Sequence, residues 1–248
     1  MALLKTSGII IKALDYKEND KLIWLYTENY GKISAVAKGA KRSRSDFFSI
    51  TLPLCFGDYL LFKGKGMCRL SEGKMRNSFQ GLLNNLEKLT YSTYLCELID
   101  IATEDEEKNF TLYKEFVTAI YLLDTDALDY ELLTRAFELK LLKATGYGLN
   151  FDTCTVCKKK LQSSTYINLS YSGGVCDLCD KTNGIYINRA SFSALRFLNN
   201  ATLDMVYKLN LNDDMKREVA RVTEQLISNN YSRKPKSLEM LKFIKEWL

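Results

Sequence analysis

Two Cys-x-x-Cys pairs constrain this chain more than any other feature. Cys154 and Cys157 form the first and Cys176 and Cys179 the second, with 18 residues between them. A tetrahedral ion such as zinc takes four soft ligands; each turn can aim two thiolates at one ion, and two turns complete the shell. The chain has no histidine, so four cysteines are the only complete thiolate or imidazole set on offer. The spacing predicts a structural zinc held by Cys154, Cys157, Cys176 and Cys179, in a module over residues 150–188. Two redox pairs, or disulfides, are the alternatives. A shell of four thiolates leaves no position open for substrate or water, so any activity has to come from the flanking sequence.

Upstream, the pattern is that of strands. Leu4, Thr6, Gly8, Ile10 and Lys12 alternate with Lys5, Ser7, Ile9 and Ile11. A turn signal at 17–20, a β-rich run at 21–27, and a turn at 28–31 follow, with Asn29 and Gly31 suited to positive φ. Further strands are expected at 32–37, 54–63 and 67–76, the last two joined around Lys63, Gly64, Lys65 and Gly66. Five short strands match the count of a small OB-type barrel; propensity does not separate that from other five-stranded barrels. Residues 38–45, between the third and fourth strands, hold Lys38, Lys41, Arg42 and Arg44 among small residues and read as a mobile loop.

From Leu82 the period lengthens. Leu82, Leu86, Leu89, Thr93 and Cys96 mark one amphipathic helix, and further helices fit 107–123 and 129–145, the latter stopping at Gly146. Helix resumes after the cysteines at 190–199, 212–230 and 237–248. The expected architecture is α+β and multidomain: an N-terminal OB-fold β-barrel over residues 1–80, then a helical domain over 81–248 with a four-cysteine zinc knuckle inserted.

Charge concentrates at one end. Residues 1–80 carry 14 Lys/Arg against 7 Asp/Glu, and the remaining 168 residues carry 21 against 23, so an anionic partner is drawn to the N-terminal third. Catalysis is not expected. Without histidine the commonest general base is missing, and no nucleotide-binding loop or nucleophile elbow is present. The acids at 104–107 read as a solvated helix start. No run approaches a membrane-spanning length and the N-terminus makes a poor signal peptide, so a cytoplasmic protein with reduced cysteines is expected.

Single-stranded nucleic acid is bound by cations that follow phosphates and flat side chains that stack on bases. The barrel segment offers Lys38, Lys41, Arg42, Arg44, Lys63, Lys65 and Arg69 as cations. Phe47 and Phe48, beside the basic loop, are the better stacking candidates, whereas Trp24, Phe56 and Phe62 read as barrel core. The residues alone also allow an RNA-binding or protein-interaction adaptor with a structural zinc.

The segments at 7–45, with Asp15 to Asp20, the turn from Tyr26 to Gly31, and Ala37 to Ala40 before the basic stretch, are similar to the opening of the RecO family of bacterial recombination mediators. The resemblance continues through Thr134 to Leu142, Gly146 to Gly148 and the first cysteine pair. It implies an OB fold, a helical C-terminal domain and a zinc knuckle. It further implies binding to single- and double-stranded DNA, annealing of complementary strands, partnership with RecR, and help in loading RecA onto strands coated by single-stranded-DNA-binding protein, on the nucleoid. The helical domain of the family contacts the acidic, hydrophobic tail of that coating protein, and Arg135, Lys140 and Lys143 are the nominees here.

Overall fold

A computed structural model of the chain describes residues 2–125 and 128–247. Five strands come first: β1 (Ala2–Tyr16), β2 (Asp20–Thr27), β3 (Gly31–Ala37), β4 (Phe56–Lys63) and β5 (Cys68–Asn77), with a short helix α1 (Phe47–Ile50) before β4. β1 pairs antiparallel with both β2 and β4, and β3 pairs in parallel with β5, so the order β1-β2-β3-β5-β4 closes the sheet. Ile10, Ile23, Leu25, Ile33, Ala35, Tyr59, Leu61 and Leu70 fill its interior. Ala35 and Ala37 of β3 share this interior with the larger side chains, which suits the crowded middle of a small barrel.

Plain alternation fails at one point in β1. The register slips between Ile10, opposite Leu25, and Lys12, opposite Trp24. The extra residue, Ile11, is a β-bulge. It allows Ile9, Ile10 and Ile11 all to be buried, and it moves Lys12 and Leu14 to the outer surface. Gly31 has the expected positive φ, and a Cβ there would fall 2.1 Å from the Glu107 carbonyl oxygen. Asn29 is not in that conformation; Lys17, in the preceding turn, is.

Helices α2 (Gln80–Leu83), α3 (Leu86–Ala102), α4 (Phe110–Asp124) and α8 (Ser237–Trp247) form one compact unit with the barrel, over Met1–Thr125 and Pro235–Leu248. The helix expected from Leu82 is broken in two. Asn85 caps α3 by accepting from the Lys88 N–H, so Leu82 belongs to α2 and Leu86 is exposed. The buried face of α3 runs through Tyr91, Tyr94, Leu95, Leu98 and Ile99 rather than through Thr93. The acids before α4 do not simply face solvent: Asp105 and Asp100 flank the buried Lys32 ammonium of β3, and Glu106 pairs with Lys63 of β4.

A second unit, Asp126–Lys234, holds α5 (Tyr130–Ala144), a small sheet of β6 (Tyr166–Asn168), β7 (Gly173–Gly174) and β8 (Gly184–Tyr186), α6 (Arg189–Asn200), a 3-10 turn (Leu203–Lys208) and α7 (Asp213–Asn230). The expected α5 face, Leu132, Leu133, Ala136, Leu139 and Leu142, is buried, and Gly146 ends that stretch at positive φ. The Arg196 guanidinium of α6 donates to the carbonyls of Phe151, Leu161 and Gln162, tying the cysteine-bearing segment to the helix.

Candidate metal centre and nucleic-acid interface

The four cysteines meet at one point. The first turn is closed by the Cys154 N–H donating to the Lys159 carbonyl and the Lys158 N–H donating back to the Cys154 carbonyl, with Lys158 at positive φ. The second leaves the small sheet at Val175, whose N–H donates to Tyr166, and closes with the Cys179 N–H on the Cys176 carbonyl. All four Sγ atoms lie within 4.8 Å of one another. Cys157 and Cys176, from different pairs, are 3.8 Å apart. A tetrahedron with metal–sulfur bonds of about 2.3 Å has edges of about 3.8 Å, whereas a disulfide needs about 2.05 Å. The donor set fits a thiolate-bound ion, and all seven cysteines are free.

Local electrostatics favour the charged form at Cys154. Burial pushes its thiol up, but backbone N–H groups of Cys176, Cys157 and Val156 aimed at the sulfur bring it down to about 6. Hydrogen bonds with Cys176 and Cys157 push Cys179 up to about 12. A cation among the sulfurs would displace the protons that Cys179 and its neighbours share.

At the barrel, the basic loop is not a mobile strand of chain. The Gly39 N–H donates to Asp20 Oδ1 at 2.8 Å, the Lys41 N–H to the Asn19 carbonyl, and successive turns carry the chain through Arg42 and Ser45 into α1. Lys41 is spent on structure: its Nζ lies 2.8 Å from Asp15, and that hydrogen bond holds the Asp15 carboxyl below the ordinary range. Lys38, Arg42 and Arg44 are exposed with no ion pair among the described residues. They line a cavity of about 450 Å³ with Phe47. Lys65 is exposed in the β4–β5 turn, and Lys63 is engaged by Glu106.

The outer surface below this crown mixes apolar and aromatic side chains with cations. Reading partners around the barrel gives one row of residues in register: Leu14, Leu22, Val36, Arg69, Phe62 and Leu3. Leu3 and Leu14 are 58% and 48% exposed. The next outward row holds Lys12, Trp24 and Ser34. Trp24 and Phe62, expected in the core, are therefore outward-facing, with Lys12 4.9 Å from the Trp24 ring centroid and Arg69 5.8 Å from that of Phe62. The reason is strand alternation: Ile23, Leu25 and Leu61 take the inner positions. Phe56 is buried, as are Tyr26 and Tyr59. Phe48 is 45% exposed beneath Lys21, and Phe47 packs partly against the barrel core. Anchoring the alternation on Ile23 and Leu25 marks Trp24 as outward from sequence; the β1 bulge, which exposes Lys12 and Leu14, leaves no such signal.

One nominated partner contact is corrected. Arg135 is 1% exposed: its guanidinium donates to both carboxylate oxygens of the buried Glu138 and to Thr223, and Glu224 lies 3.4 Å away. It cannot reach a partner at the surface. Lys140 donates to the Asn199 carbonyl, and Lys143 is exposed in the last turn of α5.

Comparison with known proteins agrees with both halves. Residues 1–79 match the family model described as Recombination protein O N terminal, and residues 83–239 match Recombination protein O C terminal. The chain is 66% identical over 246 residues to the DNA repair protein RecO of Clostridium perfringens strain 13, covering 99% of this chain and all of the relative. It is 48% identical to that of Clostridium acetobutylicum over 99% of this chain and all of the relative. To that of Acetivibrio thermocellus it is 27% identical, over 98% of this chain and 97% of the relative. Two family models in tandem and relatives matched end to end make one conclusion: this chain belongs to the RecO family.

Proposed function

We propose that this protein is a DNA repair and recombination mediator that acts by binding, without catalysing a covalent reaction. It binds single- and double-stranded DNA, anneals complementary strands, and with RecR helps load RecA onto single strands coated by single-stranded-DNA-binding protein. The observation that carries the reading is the placement of exposed cations, without ion pairs among the described residues, beside outward apolar and aromatic side chains on one barrel. Cations fix phosphates and release counterions, while ring faces accept bases irrespective of sequence. The closed five-stranded barrel supports an OB-fold reading, and a fold of that kind takes oligonucleotides on its β2–β3 face and its β1–β2 and β4–β5 loops. Here those positions hold Leu22, Trp24, Ser34, Val36 and Lys65.

Lys38, Arg42, Arg44, Lys65 and Arg69 are assigned to the strand, with Lys41 positioning the loop and Lys63 held by Glu106. Cys154, Cys157, Cys176 and Cys179 are assigned to zinc, which supplies a four-way cross-link and no open coordination position. Lys140 and Lys143 remain the nominees for the coating protein's tail, without Arg135. No helix among the described residues is long and apolar enough to cross a membrane, and the place of action is the nucleoid in the cytoplasm. The test is annealing of complementary strands coated by their binding protein, with and without this chain. Acceleration is expected; an unchanged rate contradicts the proposal.

A further inference from the structure

The basic loop begins where the β2–β3 ladder stops. Backbone pairing between those strands ends at Lys21 opposite Ala37. Gly39 then turns the chain away with a φ of 67°, and its N–H is accepted by the Asp20 side chain at 2.8 Å. Two residues on, the Lys41 N–H donates to the Asn19 carbonyl at 3.0 Å. Ala40, between them, is buried in the barrel core. The Gly39 carbonyl accepts from the Arg42 N–H at 3.1 Å and so closes the turn that carries Arg42. Asp20 therefore grips the loop between Lys38 and Arg42, two of the exposed cations that line one cavity with Arg44.

Such a loop needs a restraint. Three like charges around one cavity repel, and a free segment of like charges extends. A loop ordered only on binding gives up part of its affinity to the entropy of ordering, whereas a loop set in advance does not. Bulk electrostatics points the other way: an acid near the loop repels phosphate, so its removal would strengthen binding. That repulsion is weakened by solvent and salt, while the hydrogen bond to Gly39 is local and fixes the chain at one place.

We propose that Asp20, although an acid, is a positioning residue for an anionic strand: it presets Lys38, Arg42 and Arg44 and touches no nucleotide itself. The inference rests on the basic loop being part of the nucleic-acid site. The test compares Asp20→Ala with Asp20→Asn in the full chain. Both remove the same charge, but asparagine keeps an oxygen that can accept the Gly39 N–H and alanine has none. Affinity for an oligothymidylate strand is read by fluorescence anisotropy over a range of salt, below the melting transition of each variant, together with hydrogen exchange at the Gly39 amide. Asp20→Ala is expected to bind about 5-fold more weakly than wild type, the scale of one hydrogen bond. Its salt slope should match wild type, because the same phosphates are neutralised, and its Gly39 amide should exchange faster. Asp20→Asn is expected to stay within about 2-fold of wild type, with Gly39 still protected. Equal affinity of the two variants, or tighter binding by Asp20→Ala, overturns the positioning role and leaves strand binding by the barrel in place. A wild type that binds no strand overturns both.

Discussion

At the loop end of the barrel, Lys38, Arg42 and Arg44 are exposed and lack ion-pair partners among the described residues. In the unit that carries the cysteines, many cations are already occupied. Arg135 lies inside a carboxylate pair, Lys216 meets Asp129, Arg196 donates to three carbonyls, and Arg217 and Arg189 meet Asp214 and Asp177. The same residue types face solvent in one region and are built into the architecture in the other. Counting charges along the sequence separates the halves only in part. What matters is whether a carboxylate or carbonyl of the chain reaches the cation first.

The largest effect that can break this comparison lies at the cysteines. Metal removal, or Cys176→Ser, is expected to unfold the segment around residues 150–188 and lower the melting temperature by about 10 °C or more, because a structural ion's binding energy is folding energy. Metal content, near-one equivalent of zinc in the wild type, and a thermal melt check it. DNA affinity measured below the new transition should stay near wild type, since the barrel forms its own core. Loss of DNA binding with the fold intact would move the metal into the functional site.

Next is Arg135→Ala. Removing one partner of a buried pair leaves Glu138 uncompensated, at a cost of about 3–5 kcal/mol. Chemical denaturation measures it. A surface partner contact would instead weaken partner binding at unchanged stability, so the two roles separate cleanly. Paired replacement by Arg135→Met and Glu138→Leu should recover much of the loss.

A smaller effect is expected on the outer barrel. Trp24→Ala should weaken single-strand binding by about 1–3 kcal/mol if a base stacks there, with little loss of stability because the ring is outside the core. The smallest concerns the loop's anchor. Asp15 is held below its ordinary value by Lys41, so the anchor is complete above the unfolded carboxyl value of about 3.9 and is lost only as pH falls through the lower folded one. Exchange protection of the Lys41 amide should therefore not change between about pH 5 and 8 beyond the intrinsic exchange rate. In Asp15→Asn it should fall throughout that window.

Much of the fold could be read from residue pattern because strand and helix periods differ, and because turn chemistry marks their ends. Gly31, at the turn into β3, and Gly146, just past α5, take the positive φ that their conformational freedom predicts. The cysteine spacing was equally readable, since the ligand geometry of a tetrahedral site is local to two short turns. Three features were not. The bulge at Ile11 reassigns every later side chain of β1, and nothing in an Ile-Ile-Ile run announces it. The α2–α3 break sits at Asn85, whose capping role competes with an apolar period that continues through it. Arg135, nominated as a surface contact for a partner's tail, and Glu138, three residues on, are both buried on α5. Their burial is set by Thr223 and Glu224 of α7, which no local pattern reveals.

The most direct measurement is the salt dependence of single-strand affinity, for the wild type and for Lys38→Glu, Arg42→Glu and Arg44→Glu combined. Plotted as log affinity against log salt, the wild type should fall steeply and the variant should lose about 2 from the slope, about 0.7 for each of three phosphates. Its affinity at moderate salt should drop at least about 10-fold. An unchanged slope and affinity in a folded variant would contradict the assignment of DNA binding to this end of the barrel.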